Sequence, residues 1–275
     1  MKVISSLTDI QSFIKDYKSK KEISFVPTMG NLHSGHIKLI NSSSSSTLKV
    51  VSIYVNALQF NDKNDFSNYP RTLSDDLSLC EDNNVDLVFT PESSIVSKYL
   101  CSDKNDLPKF TSYMCGAKRP GHFSGVYSIV KFLFNTIKPN YAYFGKKDFQ
   151  QLLLIKYIAS TYFPKLKIVD INTVRNIDNI ALSSRLNRIS SESSDKVKLI
   201  FQTLQLMKKK LHKDIDYSSV KKSSLLELKK NNIFVEYLDL RALDTLEELV
   251  TINGQCGIFI ACYIDNIRLI DNIEI

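Results

Sequence analysis

A continuous apolar strand that breaks at a glycine turn and restarts at once as a helix constrains the fold of this chain more than any other stretch. It reads Phe25-Val26-Pro27-Thr28-Met29-Gly30-Asn31-Leu32-His33-Ser34-Gly35-His36. The run 23–26 predicts a buried strand, Gly30 and Gly35 flank a turn, and Ile37-Lys38-Leu39-Ile40 continues with helical spacing. A helix starting there presents unpaired backbone N–H groups and the positive end of its dipole, which suits phosphate. Glycine lets the backbone approach a ligand closely. His33 and His36, three residues apart on the first turn, can lean toward the same oxygens, although two histidines can equally cap a surface helix. The chemistry that fits is nucleotidyl transfer.

Strands are expected again at residues 48–54, 85–90, 141–144 and 167–174, alternating with helices at 8–18, 72–82, 95–100, 127–137 and 149–163. Such alternation predicts an α/β domain built on a parallel sheet. It stops near Val174, so a first domain of residues 1–174 and a smaller α+β domain of residues 175–275 are expected. The latter reads as helices at 192–212 and 217–231 and strands at 234–238, 258–264 and 268–270, while Ser102 to Pro108 reads as a polar loop.

A hydrophobic fraction of 43% suffices for a sizeable core. The net charge of +7 comes from lysines dispersed along the chain, many in helices, which reads as solvated faces and a cleft for anions, not as a nucleic-acid surface. No stretch is long and apolar enough to span a membrane and the first residues lack a signal-peptide core, so a cytoplasmic protein is expected. The five cysteines, odd in number and without Cys-x-x-Cys spacing, read as reduced thiols.

Four further segments offer chemistry. Asn56 and Gln59 follow a buried strand directly, where open α/β sheets place ligand groups. Asp75 and Asp76 fall in the first turn of a helix, which suits either the helix dipole or a Mg²⁺ ion on nucleotide phosphates. Gly145-Lys146-Lys147-Asp148 is a second strand-to-helix turn of the phosphate-facing kind, with Gln151 just inside the helix. Ser183-Ser184-Arg185 sets two hydroxyls and a guanidinium on a loop. His122, at a helix start, reads as a cap or a buried structural residue.

Taken together, these segments resemble the motifs of the pantoate–β-alanine ligases, in the family's order and over nearly the whole chain. The ten residues Pro27 to His36 match the family's Pro-Thr-Met-Gly-x-Leu-His-x-Gly-His, a variant of the His-x-Gly-His motif of the nucleotidylyltransferase superfamily. The resemblance implies a Rossmann-like domain with a smaller lid domain, a homodimer, and joining of pantoate to β-alanine with ATP and Mg²⁺. It implies ATP contacts at Met29, Gly30, Asn31, Leu32, His33, Ser34, Gly35 and His36, at Gly145, Lys146, Lys147 and Asp148, and at Val174, Leu182, Ser183, Ser184 and Arg185. His33, His36, Lys147 and Arg185 would act on the reacting phosphate, Gln59 and Gln151 would hold pantoate, and Gln59 would also meet β-alanine. The chain departs from the family pattern at Ala57 (proline), Cys115 and Lys146 (glutamate), Asn179 (glycine) and Leu186 (asparagine). Other readings are a nucleotidylyltransferase acting on a phosphate ester, or a nucleotide-binding protein without ligase activity.

Overall fold

The computed structural model describes residues 1–100 and 107–275. Most of the expected loop at 102–108 lies outside the described residues, as does Cys101. The elements run β1 (Lys2–Ile4), α1 (Leu7–Lys18), β2 (Ile23–Thr28), α2 (Ser34–Asn41), β3 (Leu48–Ile53), α3 (Lys63–Ser67), α4 (Leu73–Asp82), β4 (Leu87–Phe89), α5 (Ser93–Leu100), α6 (Met114–Lys118) and α7 (His122–Ile137). They continue with β5 (Tyr141–Gly145), α8 (Phe149–Tyr162), β6 (Lys167–Ile171), α9 (Ser194–Leu211), α10 (Tyr217–Lys230), β7 (Phe234–Ala242), β8 (Cys256–Ile264) and β9 (Ile267–Glu274).

Strands β1 to β6 form one parallel, Rossmann-like sheet in the order β1-β4-β3-β2-β5-β6. Both faces are covered, so the central strands are continuous apolar runs: Ile23, Phe25, Val50, Val51, Leu87 and Ala142 are all buried. The order reverses at β2, with β3 on one side and β5 on the other. The crevice at the carboxyl ends of β2 and β5 is therefore where such a sheet binds its ligand, and the histidine turn and the Gly145 turn both open there.

Helix α7 is buried nearly all round, because it packs against α1, α5, α8 and β2 at once. It begins at His122, five residues before the expected start, after Gly121 turns the chain at φ 82°. Strand β1 was not legible from periodicity; three residues long, it pairs with β4 at the sheet edge.

The second body is a three-stranded antiparallel sheet, β7-β8-β9, against which α9 and α10 pack. Its core joins Ile200, Leu204 and Met207 of α9 to Leu238, Leu240, Ile258 and Ile260. The two bodies meet closely. Phe149 of α8 packs on Phe259 of β8, and Asn272 of β9 donates its side-chain N–H groups to the carbonyls of Lys146 and Lys147 at 3.0 and 2.9 Å.

Candidate active site

The turn after β2 is held by its own side chains. Gly30 and Asn31 are both left-handed, at φ 79° and 50°. A Cβ on Gly30 would lie 2.9 Å from Asp76 Oδ2, so glycine is required there for space as well as conformation. The Asp76 carboxylate, 1% exposed, accepts the N–H groups of Asn31 at 3.0 Å and of Leu32 at 2.7 Å. Asp76 thus shapes the turn, and both of its oxygens are occupied; Asp75 is exposed on the helix beside it. Neither faces the site as a pair of metal ligands. Replacing Asp76 with alanine would leave two amides without partners. We predict a loss of about 2–6 kcal/mol in urea unfolding, at about 1–3 kcal/mol for each of the two buried unsatisfied groups.

At the start of α2 the two histidines form a reciprocal cap. His33 Nδ1 accepts the Gly35 N–H at 3.1 Å, and His36 Nδ1 accepts the His33 N–H at 3.2 Å, with ring centroids 4.1 Å apart. This helix start keeps fewer free amides than the sequence suggested. With each Nδ1 accepting, the ring proton of each neutral imidazole sits on Nε2 and remains available to donate. Burial, reinforced by Lys147, lowers the pKa of His33 to about 4; burial and then His33 lower that of His36 to about 3. At neutral pH the pair therefore offers two N–H donors and no positive charge.

Both rings line a cavity of about 270 Å³ at the sheet crevice. Of the residues expected at the site, Met29, Gly35, Gln59, Gly145, Lys147, Asp148, Gln151, Val174, Leu182, Ser183, Ser184 and Arg185 line it too. Gly30, Asn31, Leu32 and Ser34 do not: Leu32 packs in the core, and Asn31 faces the Ser184 loop. Lys146 also turns away, to Glu274 at 2.8 Å. Asn31 Nδ2 donates to the Ser184 carbonyl and Ser184 Oγ to the Asn31 carbonyl, each at 3.3 Å, so the loop of Ser183 to Arg185 rests directly on the histidine turn. Arg185 pairs with Asp65 at 2.8 Å, as does Arg188 at 2.9 Å. Ser183 Oγ is buried in the cavity wall, and among the described residues it has no hydrogen-bond partner.

The cavity also holds Asn56, expected among the ligand groups, and three residues that the sequence reading left structural or unnamed: Tyr69, Arg119 and His122. His122 is 8% exposed and its Nδ1 lies 2.7 Å from the Gln59 carbonyl, which can only accept. The ring proton is therefore on Nδ1. Burial, and then Arg119, lower its pKa to about 3.

The family model described as pantoate-beta-alanine ligase matches residues 2–274. This chain belongs to that family. A pantothenate synthetase of Leptospira biflexa is 38% identical over 277 residues, covering 99% of this chain and 98% of the relative, and one from Aliivibrio fischeri is 36% identical, covering 100% and 96%. The crystal structure of pantothenate synthetase from Thermus thermophilus matches with a TM-score of 0.89 at 30% identity, over 99% of both chains. The ligase of Francisella tularensis, complexed with beta-gamma ATP and beta-alanine, matches at 0.85 and 31%, covering 99% of this chain and 97% of the other.

Three of the departures from the pantoate–β-alanine ligase motifs have physical accounts here. Asn179 adopts φ 62°, the left-handed region that glycine favours and asparagine tolerates. Leu186 packs against the second core. Where the family has glutamate, the Cys115 thiol lies 3.1 Å from Tyr237 Oη and 3.4 Å from Arg268. The acid that Arg268 needs comes instead from Glu236, at 2.6 Å, on a β-bulge between Val235 and Tyr237.

The three depressed imidazoles make stability depend on pH. Below about 6.5 the unfolded chain takes up protons that the folded sites refuse, so stability is complete above that pH and falls as pH drops toward 4. We predict a slope of up to about 1.4 kcal/mol per pH unit for each such histidine between pH 6.5 and 5. Urea midpoints at pH 7.5, 6 and 5 read it, and His122→Asn should flatten the slope.

Proposed function

We propose that this cavity joins pantoate to β-alanine in two steps through a pantoyl adenylate. In the first, a pantoate carboxylate oxygen attacks the α-phosphorus of ATP and pyrophosphate leaves. In the second, the β-alanine nitrogen attacks the acyl carbon, gives up a proton, and AMP departs with the former carboxylate oxygen. No side chain need become covalently attached. The observation that carries the reading is the convergence of two neutral Nε2–H donors, Lys147 and a Ser183 hydroxyl without a partner among the described residues on one cavity, together with Gln59 and Gln151.

Preorganised donors and a fixed cation suit charge that develops on phosphate oxygens, and holding both reactants can supply several kcal/mol of the barrier, on the order of seven. His33, His36 and Lys147 take the phosphates, Gln59 and Gln151 orient pantoate, and Arg185 exchanges Asp65 for phosphate oxygens when ATP is bound. Because the loop of Ser183 to Arg185 already rests on the histidine turn, it shields the adenylate from water until the amine arrives.

Magnesium accompanies the nucleotide phosphates in this reading. The engaged Asp76 and exposed Asp75 do not fit as its cage, Asp148 is the carboxylate on the cavity wall, and among the described residues no three His, Cys, Asp or Glu form a metal cluster. Mg²⁺ accepts such a setting because it keeps several waters and binds substrate phosphates. Among the described residues no helix is long and apolar enough to cross a membrane. Cys80, Cys115, Cys256 and Cys262 are buried and free, which suits the cytoplasm. Assembly as a homodimer completes the proposal, and sedimentation velocity reads it. The mechanism is tested with pantoate labelled with ¹⁸O in its carboxylate: one labelled oxygen should appear in AMP for each turnover, and unlabelled AMP contradicts it.

A further inference from the structure

The cavity has two cationic poles. Lys147 is at the pole of His33 and His36, where the phosphates go. At the other pole lies Arg119, which donates Nη2–H to the Gln59 carbonyl at 3.0 Å and is 3.2 Å from His122 Nε2 through Nη1. Since the His122 proton is on Nδ1, its Nε2 lone pair accepts from Arg119. These two bonds fix the guanidinium in the cavity wall and, among the described residues, leave three of its five N–H groups free.

Among the described residues no carboxylate forms an ion pair with Arg119. The contrast with other arginines is direct: nearby, Arg268 has Glu236 and Arg185 has Asp65, and elsewhere Arg175 has Asp271 at 2.7 Å. Position 115, where a family glutamate would stand nearby, is a thiol. Burial, and then the proximity of Arg268, work against the charge on Arg119. A partly buried, oriented and unneutralised guanidinium on a cavity wall is a site for a carboxylate.

We infer that Arg119, oriented by His122 and the Gln59 carbonyl, binds the carboxylate of the amine substrate. The inference rests on the ligase reading above. Two carboxylates enter that reaction, and they have different fates. The pantoate carboxylate must attack phosphorus, and a guanidinium bound to it would stabilise the nucleophile in its unreacted state. The β-alanine carboxylate passes through unchanged into the product, so a permanent anchor costs no reactivity. Holding that end fixes how far the amine reaches toward the acyl carbon. Arg119 thereby selects an amino acid over a simple amine.

The test compares β-alanine with its amide, 3-aminopropanamide, at saturating ATP and pantoate, in the full-length protein and in Arg119→Met and Arg119→Lys. AMP release gives kcat/KM for each amine. Wild type should prefer β-alanine by about a hundredfold, the scale of removing one partner of a buried, hydrogen-bonded charge pair. Arg119→Met should lose about that factor with β-alanine and little with the amide, so that the preference collapses; Arg119→Lys should keep part of it. Equal losses with both amines, in either variant, would show that Arg119 only holds the Gln59 backbone and would overturn the inference. Pantoate-dependent ATP–pyrophosphate exchange separates the two levels: its absence in wild type defeats the ligase reading, whereas its presence with an undiminished preference in Arg119→Met defeats the role of Arg119 alone.

Discussion

Replacing His36 with asparagine is expected to lower the rate of adenylate formation by about 10²–10³-fold, the range found when one preorganised donor is removed from an oxyanion site. Stability should change little, because the two functions of the ring are carried by different nitrogens. Nδ1 accepts the His33 N–H and caps α2, while Nε2 holds the donated proton. The Oδ1 of asparagine can take the place of Nδ1 in the cap, but nothing in asparagine reaches the place of Nε2. Glutamine has the opposite properties: it can reach that place with an N–H donor but caps poorly. His36→Gln should therefore retain more activity than His36→Asn and be less stable, by about 1 kcal/mol, a typical value for a lost cap. Single-turnover rates and urea midpoints for the two variants read both effects. A variant order that is the same for activity and stability would show that the ring acts only as a cap. The pair is useful because histidine at this position is neutral, so neither substitution removes a charge.

Replacing Gly125 with alanine should be the most disruptive single methyl group near the site. A Cβ there would lie 2.6 Å from the carbonyl carbon and oxygen of Leu58 and 2.7 Å from the Gln59 nitrogen, all backbone atoms. Helix α7 cannot withdraw, since its other faces are packed. The same contact is tied by Asn56, whose Nδ2 donates to the Gly125 carbonyl at 2.9 Å and to Gln59 Oε1 at 3.4 Å. The strain must move the Ala57–Gln59 turn, and with it Gln59. We expect a stability loss of about 3 kcal/mol from overpacking. Displacement of a positioning group by 1 Å can cost about a hundredfold, so kcat/KM for pantoate should fall far more than the KM for ATP rises. Equal effects on both substrates would mean that the helix, and not Gln59, had been disturbed.

The parallel sheet was legible because its strands are buried on both faces and because Gly30 and Gly145 mark the ends of β2 and β5. Sequence order also exposed the histidine turn, the Gly145 turn and the Ser183 loop. What it hid were contacts made across long separations. Arg119 meets the Gln59 carbonyl 60 residues away, Arg185 meets Asp65 120 residues away, and Arg268 of β9 meets Glu236 of β7, 32 residues away, across the intervening strand β8. No periodicity encodes any of these. The Asp76 carboxylate shows the same limit in a different form. Its place at a helix start suited the dipole or a metal, but only the packing of α4 beneath the turn shows that two backbone amides occupy it. The histidines were recognised as a pair, yet their neutrality comes from burial and from Lys147, neither of which a local motif contains.

The most direct test of the account is ATP–pyrophosphate exchange measured with pantoate present and β-alanine absent. The two-step reading predicts exchange that requires pantoate, releases no AMP, and gives way to AMP and pantothenate when β-alanine is added. Folded protein that shows no exchange until the amine is present would contradict it, because the carboxylate would then not be activated before the amine arrives.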